Sequence, residues 1–269
     1  MGLLRGTLGL ALGGGAARGL AHLGVLKALD EAGLRADYVC GTSAGSIVAA
    51  LYAGGYSWEE IAEVTRALDW GDFIQPVFPK LGLVRAERLE KRLEDLLGDR
   101  RIEDLGIPFR AVTVDLVSAG QYVIDSGPVA RAVRASCSIP GIFEPVELDG
   151  RVLVDGGVLN DVPADVCLEM GADYVIAVDL NSDIVQNRKP ENLFNVIMFS
   201  FAVMVRGNRM SPTRQNTRNV KLIAPNLSDF NYHNLKRIDE LMQRGEDAMR
   251  SALPDLMRTL KRRRIVRRG

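Results

Sequence analysis

The stretch Cys40-Gly41-Thr42-Ser43-Ala44-Gly45 decides the fold, because it joins an apolar run at 36–40 to a run of small residues at 46–53. A Gly-x-Ser-x-Gly sequence places its serine on a tight turn from a strand into a helix, and the glycines keep side chains away from an approaching substrate. The Ser43 hydroxyl is then exposed at the carboxyl end of a strand. The positive end of the following helix faces any negative charge that develops on a bound carbonyl oxygen. That is the geometry of acyl transfer, although the same five residues also fit a plain glycine-rich turn, so the neighbouring segments have to decide.

Upstream, Thr-Leu-Gly-Leu-Ala-Leu at 7–12 reads as a buried strand. It runs into Gly13-Gly14-Gly15-Ala16-Ala17-Arg18-Gly19 and then a helical pattern of Leu20, Leu23, Leu26 and Leu29. A strand, a glycine loop and a helix start form an anion site from backbone N–H groups. A dinucleotide pyrophosphate requires Gly-x-Gly-x-x-Gly, and counted from Gly13 and Gly15 the third position is Arg18, so that fingerprint fails at its packing glycine. An oxyanion needs only two aimed N–H groups beside a nucleophile, which the next strand delivers as Ser43. The oxyanion reading is the better supported.

Downstream, Ser57-Trp58-Glu59-Glu60 matches a capping box before a helix that ends near 68. Residues 70–79 form a connection with prolines and aromatics. An amphipathic helix follows with Leu89, Leu93, Leu96 and Leu97. Two strands at 109–117 and 121–124 flank the turn Ser118-Ala119-Gly120, and Asp115, a carboxylate in an apolar run, needs a partner and is expected to support the site structurally. A helix at 129–135 precedes a turn at 136–143. Asp149-Gly150 is a two-residue hairpin signal between 144–148 and 151–154, and the second strand ends on Asp155-Gly156-Gly157. A carboxylate thus emerges at a strand end with room beside it, either as a base for Ser43 or as a solvated aspartate in a glycine turn. A short helix at 164–170 and a strand at 172–180 come next. The most apolar run, 193–205, is too short to span a bilayer. It reads as a buried helix, with an exposed lipid- or partner-binding face as the alternative. A last strand at 219–224 and a long helix at 235–264, interrupted near Pro254, complete the chain.

The glycine loop with Arg18, the Gly41–Gly45 elbow and Asp155-Gly156-Gly157, in this order, resemble the patatin-like phospholipase family, especially its bacterial branch, over about 8–178. The resemblance implies an α/β fold, a three-layer α/β/α sandwich with a mostly parallel central sheet. It implies lipid acyl hydrolysis by a Ser–Asp dyad without histidine. Carried onto this chain, Ser43 is the nucleophile, Asp155 the base, and Gly14, Gly15 and Ala16 the oxyanion hole, with Arg18, Gly41, Gly45, Gly156 and Gly157 in support. Ala16 stands where many members have a further glycine. An alanine still donates its N–H, but only where the backbone has negative φ or tolerates strain.

The histidines bear on the same question, since a Ser-His-Asp triad must recruit His22 or His233, the two in the chain. His22, at the start of the first helix, reads as a locally bonded side chain, and as a base only if the protein is instead an acyltransferase. His233 lies in a polar segment that reads as loop. A catalytically silent lipid-binding module is the alternative from a different class.

With 269 residues, 47% of them apolar, the chain is long enough to bury one large core. The expectation is a single patatin-like domain over 1–269, with a core at about 8–180 and a C-terminal helical segment and basic tail at about 234–269. Cys40, Cys137 and Cys167 show no paired or metal-ligand spacing and read as small buried hydrophobes in a reducing compartment. No metal or cofactor is called for. No run of 18 apolar residues exists, so the chain reads as soluble and cytoplasmic, peripheral to the membrane if its tail engages one. The formal net charge is zero, yet 256–269 holds seven basic residues and no acid. Such a tail reads first as a solvated helix end, and second as a contact for anionic lipid headgroups. The expected partner is a lipid or other acyl-ester substrate. No nucleic acid is expected, and a homo-oligomer stays open.

Overall fold

The computed structural model describes residues 6–66, 75–76, 82–182, 189–191, 193–209, 218–230, 232 and 235–265. Strand β1 (Leu8–Leu12) leads through a 3-10 turn (Ala16–Leu20) into helix α1 (Ala21–Glu31). Next come β2 (Tyr38–Thr42), α2 (Ala44–Ala53), α3 (Trp58–Arg66), the short pair β3 (Gln75–Pro76) and β4 (Val84–Arg85), and α4 (Glu87–Leu97). The middle of the chain forms β5 (Phe109–Asp115), β6 (Gly120–Ile124), α5 (Val129–Ser136), β7 (Val146–Leu148) and β8 (Arg151–Asp155). It ends with α6 (Ala164–Glu169), β9 (Tyr174–Val178), α7 (Leu193–Arg209), β10 (Val220–Ile223) and α8 (Ile238–Arg262).

The main sheet runs β10-β9-β1-β2-β5-β8-β7, with β6 also on β5. The pairings from β10 to β5 are parallel, whereas β6, β8 and β7 join antiparallel. Parallel neighbours need crossover connections, which α1 supplies between β1 and β2, the longer 43–108 segment between β2 and β5, and the 179–219 segment between β9 and β10. Because side chains alternate along a strand, Leu8, Leu10 and Leu12 face a thick layer built from α1 to α5 and α8. The opposite register, Ala11 on β1, Cys40 on β2 and Ala177 on β9, faces the thin layer made by α6. Small residues on that side let α6 lie close. They include Gly9, where a Cβ would sit 2.9 Å from the Ala172 Cβ. The result is the expected α/β/α arrangement with a mixed sheet.

Two expectations need correction. The helix at the end of the chain is not interrupted at Pro254 but runs continuously through it, because buried Met249, Leu256 and Leu260 anchor it on both sides. Its tail is not simply solvated. Ile265 is buried, and the Arg263 guanidinium stacks 4.8 Å from the Tyr174 ring centre while donating to the Arg218 carbonyl at 2.6 Å. Asp115 has the partners that a buried carboxylate needs. It accepts from the Ser118 hydroxyl, the Val117 and Val152 N–H groups and Arg151, and so ties the β5–β6 turn to β8. The cysteines are buried and free, as expected, but Cys40 and Cys167 bring their sulfurs to 2.7 Å, a contact their wide sequence spacing conceals.

Candidate active site

Ser43 caps the N-terminus of α2 at φ 52°, ψ −128°, a conformation that costs a non-glycine residue energy. The surroundings impose it. The Ser43 carbonyl accepts from the Ser46 N–H at 2.8 Å and from the Ser46 hydroxyl at 2.7 Å. The Ser43 N–H donates to the Ser136 Oγ at 2.9 Å, and that hydroxyl in turn donates to the Val112 carbonyl on β5. Gly45 is required by close approach, because a Cβ there would strike the Leu12 carbonyl where β1 passes under the helix start. The elbow read from the sequence is therefore present. Its strain is held by hydrogen bonds from two neighbouring elements.

Asp155 ends β8 and is fully buried. Its N–H donates to the Ser138 carbonyl at 2.9 Å, which ties it to the turn after α5, and its Oδ1 accepts from the Gly157 N–H at 2.8 Å. Oδ2 is buried without a hydrogen-bond partner among the described residues. Burial raises the carboxyl from 3.8 to about 7, opposed by the nearby Ser43 hydroxyl and the Gly157 N–H, with Asp161 adding to the rise. The serine influences the carboxyl without closing a hydrogen bond on Oδ2 in this resting geometry. A desolvated carboxylate poised near neutrality, facing the same cavity as a strained serine, is suited to take a proton at Ser43.

The glycine loop divides its three candidates. The Gly14 N–H donates to the Asp161 carbonyl at 3.1 Å, so it is not available as an oxyanion donor, which corrects the expectation for that residue. Gly14 matters instead as a gap, since a Cβ there would sit 2.7 Å from Asp161 Oδ1 and 3.3 Å from the Ser43 Cβ. No acceptor among the described residues takes the N–H of Gly15 or Ala16. Ala16 holds φ 48°, so this chain accommodates the alanine by strain rather than by negative φ. Both residues line the cavity with Ser43 and Asp155.

Arg18 is spent on the fold of this loop. It donates to the Phe230 and Leu180 carbonyls at 3.1 and 3.2 Å and lies 4.6 Å from the Tyr232 ring centre. His22 is buried with Nε2 on the Gly13 carbonyl at 2.8 Å, an acceptor that requires Nε2 to carry the proton. Burial lowers its pKa to about 4. Neutral and absent from the cavity lining, it is not placed to act on Ser43. His233 lies outside the described residues, as does most of the 70–79 connection.

Three polar residues of the cavity escaped the sequence reading: Asp161, Asn181 and Tyr232. The Asn181 amide donates to the Gly14 carbonyl at 3.1 Å and to Asp161 Oδ2 at 3.0 Å, while its Oδ1 accepts from the Tyr232 hydroxyl at 3.2 Å. Asn181 thus clamps the glycine loop from the β9 side. A signal for it existed, since Asn181 follows the carboxyl end of a parallel strand, the edge where sites of such sheets gather. The remaining wall is apolar: Ile139, and Met198, Phe201, Ala202 and Val205 of α7.

A family model described as patatin-like phospholipase matches residues 10–168. Among curated proteins, the chain is 39% identical over 186 residues to patatin-like phospholipase domain-containing protein 6 of Mus musculus, an alignment covering 65% of this chain and 14% of that protein. It is 32% identical over 281 residues to an NTE family protein of Mycobacterium tuberculosis, covering 94% of this chain and 48% of the relative. The chain thus spans half or less of the length of these relatives. Among solved structures, VipD from Legionella pneumophila superposes with a TM-score of 0.56 at 17% identity over 93% of this chain and 67% of that one, a likeness of fold.

Proposed function

The chain belongs to the patatin-like phospholipase family, and from that premise we propose that it is a serine lipid acyl hydrolase working through Ser43 and Asp155. The observation that carries this reading is the buried Asp155 carboxyl, with its unpartnered Oδ2, in one cavity with a serine held at positive φ. In the first half-reaction, Asp155 takes the hydroxyl proton as Ser43 Oγ attacks the ester carbonyl carbon. The N–H groups of Gly15 and Ala16 donate to the oxyanion, and the positive end of α2 adds to its stabilisation. Collapse expels the alcohol, which leaves with the proton held by Asp155. Water then gives a proton to Asp155 and attacks the acyl-serine, and the fatty acid departs as Ser43 recovers its proton. The apolar wall suits an acyl chain.

Acyl transfer through His22 fits less well, because that ring is neutral, buried and committed to the Gly13 carbonyl. The test combines labelling with turnover. A fluorophosphonate should label Ser43, and Ser43→Ala and Asp155→Asn should each abolish hydrolysis of a soluble short-chain ester in folded protein. A folded His22→Gln should keep most of it. Full turnover in Asp155→Asn would remove the dyad.

A further inference from the structure

The three peptides of the glycine loop are held in different ways. The Gly13 carbonyl accepts from His22 Nε2 at 2.8 Å, and the N–H at the other end of that peptide, on Gly14, donates to the Asp161 carbonyl at 3.1 Å. This first peptide is fixed at both ends. The second joins Gly14 to Gly15: its carbonyl accepts from Asn181 Nδ2 at 3.1 Å, and no acceptor among the described residues takes its N–H. The third joins Gly15 to Ala16. Its carbonyl accepts from the Arg18 N–H at 3.0 Å, and the Ala16 N–H likewise has no acceptor among the described residues.

In a trans peptide the C=O and N–H point in opposite directions, so a grip on the carbonyl sets where the N–H is aimed. The Ala16 donor is therefore aimed by a backbone bond within its own turn. The Gly15 donor is aimed by a side chain 167 residues away from Gly14 in sequence. Glycines on both sides of that peptide leave it otherwise free to rotate, since no Cβ confines their φ and ψ.

The Asn181 amide is itself held in place. Its Nδ2 also meets Asp161 Oδ2 at 3.0 Å, and its Oδ1 accepts from the Tyr232 hydroxyl at 3.2 Å. The Gly14 carbonyl can only accept, which obliges the NH2 side of Asn181 to face it and the oxygen to face the tyrosine. The Asn181 N–H donates to Asp179 Oδ1 at 2.8 Å, and the Tyr232 carbonyl accepts from the Ala17 N–H at 3.1 Å. Both residues are thus anchored through their backbones, and Asn181 is buried. We propose that Asn181, steadied by Tyr232, is a positioning residue for catalysis: it turns the Gly14–Gly15 peptide so that the Gly15 N–H is aimed for the oxyanion before substrate arrives. The proposal rests on the hydrolase reading, in which that oxyanion forms on the Ser43 adduct. A preorganised donor acts where charge develops, in the transition state, so misaiming it lowers kcat and leaves KM nearly unmoved.

The test compares the full chain with Asn181→Ala and Tyr232→Phe on a soluble short-chain ester. Asn181→Ala, shown to be folded by circular dichroism and a urea titration, should lose kcat by about 10²-fold, the scale of one oxyanion donor, at an unchanged KM. Inhibition by an alkyl trifluoromethyl ketone, whose serine adduct is itself an oxyanion, should weaken by the same factor. Tyr232→Phe keeps the ring beside Arg18 and should give a smaller loss of the same kind. Added to Asn181→Ala it should cost nothing more, because the hydroxyl acts through the amide. Parental kcat in folded Asn181→Ala would overturn the proposal. So would a loss that appears in KM with ketone inhibition unmoved, the mark of a merely structural role. If Asn181→Ala does not fold, Tyr232→Phe decides alone, and parental kcat there overturns the proposal. A parent chain that hydrolyses no ester and leaves Ser43 unlabelled by a fluorophosphonate would instead overturn the hydrolase reading, and the positioning role with it.

Discussion

Asp155→Asn tests the desolvated carboxyl through stability as well as through activity. In the folded chain burial raises the Asp155 carboxyl from 3.8 to about 7, so between those values the folded state holds a proton that the unfolded state has lost. The sign follows from linkage: this group's contribution to stability is full below 3.8 and is lost as pH rises through about 7. For a shift of this size, the contribution is smaller at pH 8 than at pH 5 by roughly 2–3 kcal/mol. An asparagine cannot ionise and escapes that loss. The cost of burying its amide, roughly 1–3 kcal/mol where a hydrogen bond is left unmade, is the same at any pH and cancels when two pH values are compared. Urea titrations of parent and Asp155→Asn at pH 5 and pH 8 should therefore show the difference moving in the variant's favour by roughly 2–3 kcal/mol as pH rises. Over the same interval, parent turnover should climb through about pH 7 as the base loses its proton, with none in the variant. A stability difference that does not change with pH would mean that the carboxyl titrates normally, and the argument for Asp155 as a poised base would fail.

Two further outcomes follow from local geometry. Ala16→Gly should relieve left-handed strain while keeping the N–H, raising stability by roughly 0.5 kcal/mol in a urea titration and leaving kcat unchanged. A large fall in kcat would show that the Ala16 methyl, not only its N–H, shapes the site. Deleting 263–269 removes buried Ile265 and the Arg263 stack on Tyr174, so stability should fall by about 2–4 kcal/mol. A loss below about 0.5 kcal/mol would make the tail a solvated helix end after all.

Much of the fold was legible because the relevant signals are local. The alternation of leucines in β1, the glycine elbow at Ser43 and the capping box at Ser57, where Glu60 accepts from the Ser57 N–H at 2.8 Å, each depend on residues within a few positions. The same holds for the Asp149-Gly150 turn, whose two residues have φ 49° and 74°. Boundaries moved by a residue or two where pairing between strands, rather than apolar content, sets the end, as in β2, which extends to Thr42 to pair with Val112.

The sequence by itself determined the order of strand, loop and helix, the serine on its turn, the carboxylate at a strand end and the scarcity of histidine. What only the tertiary structure decided is how each group is used, because hydrogen-bond donors are allotted by neighbours distant in sequence. The Gly14 N–H goes to Asp161, 147 residues on, while no acceptor among the described residues takes the N–H of Gly15 or Ala16, which both line the cavity. Arg18 is taken by carbonyls at Leu180 and Phe230, and Asn181 becomes the clamp on the glycine loop. The two apolar faces of α7 make the same point. Periodicity marks them alike, and only packing against the site decides that one face walls in Ser43 while the other stays exposed.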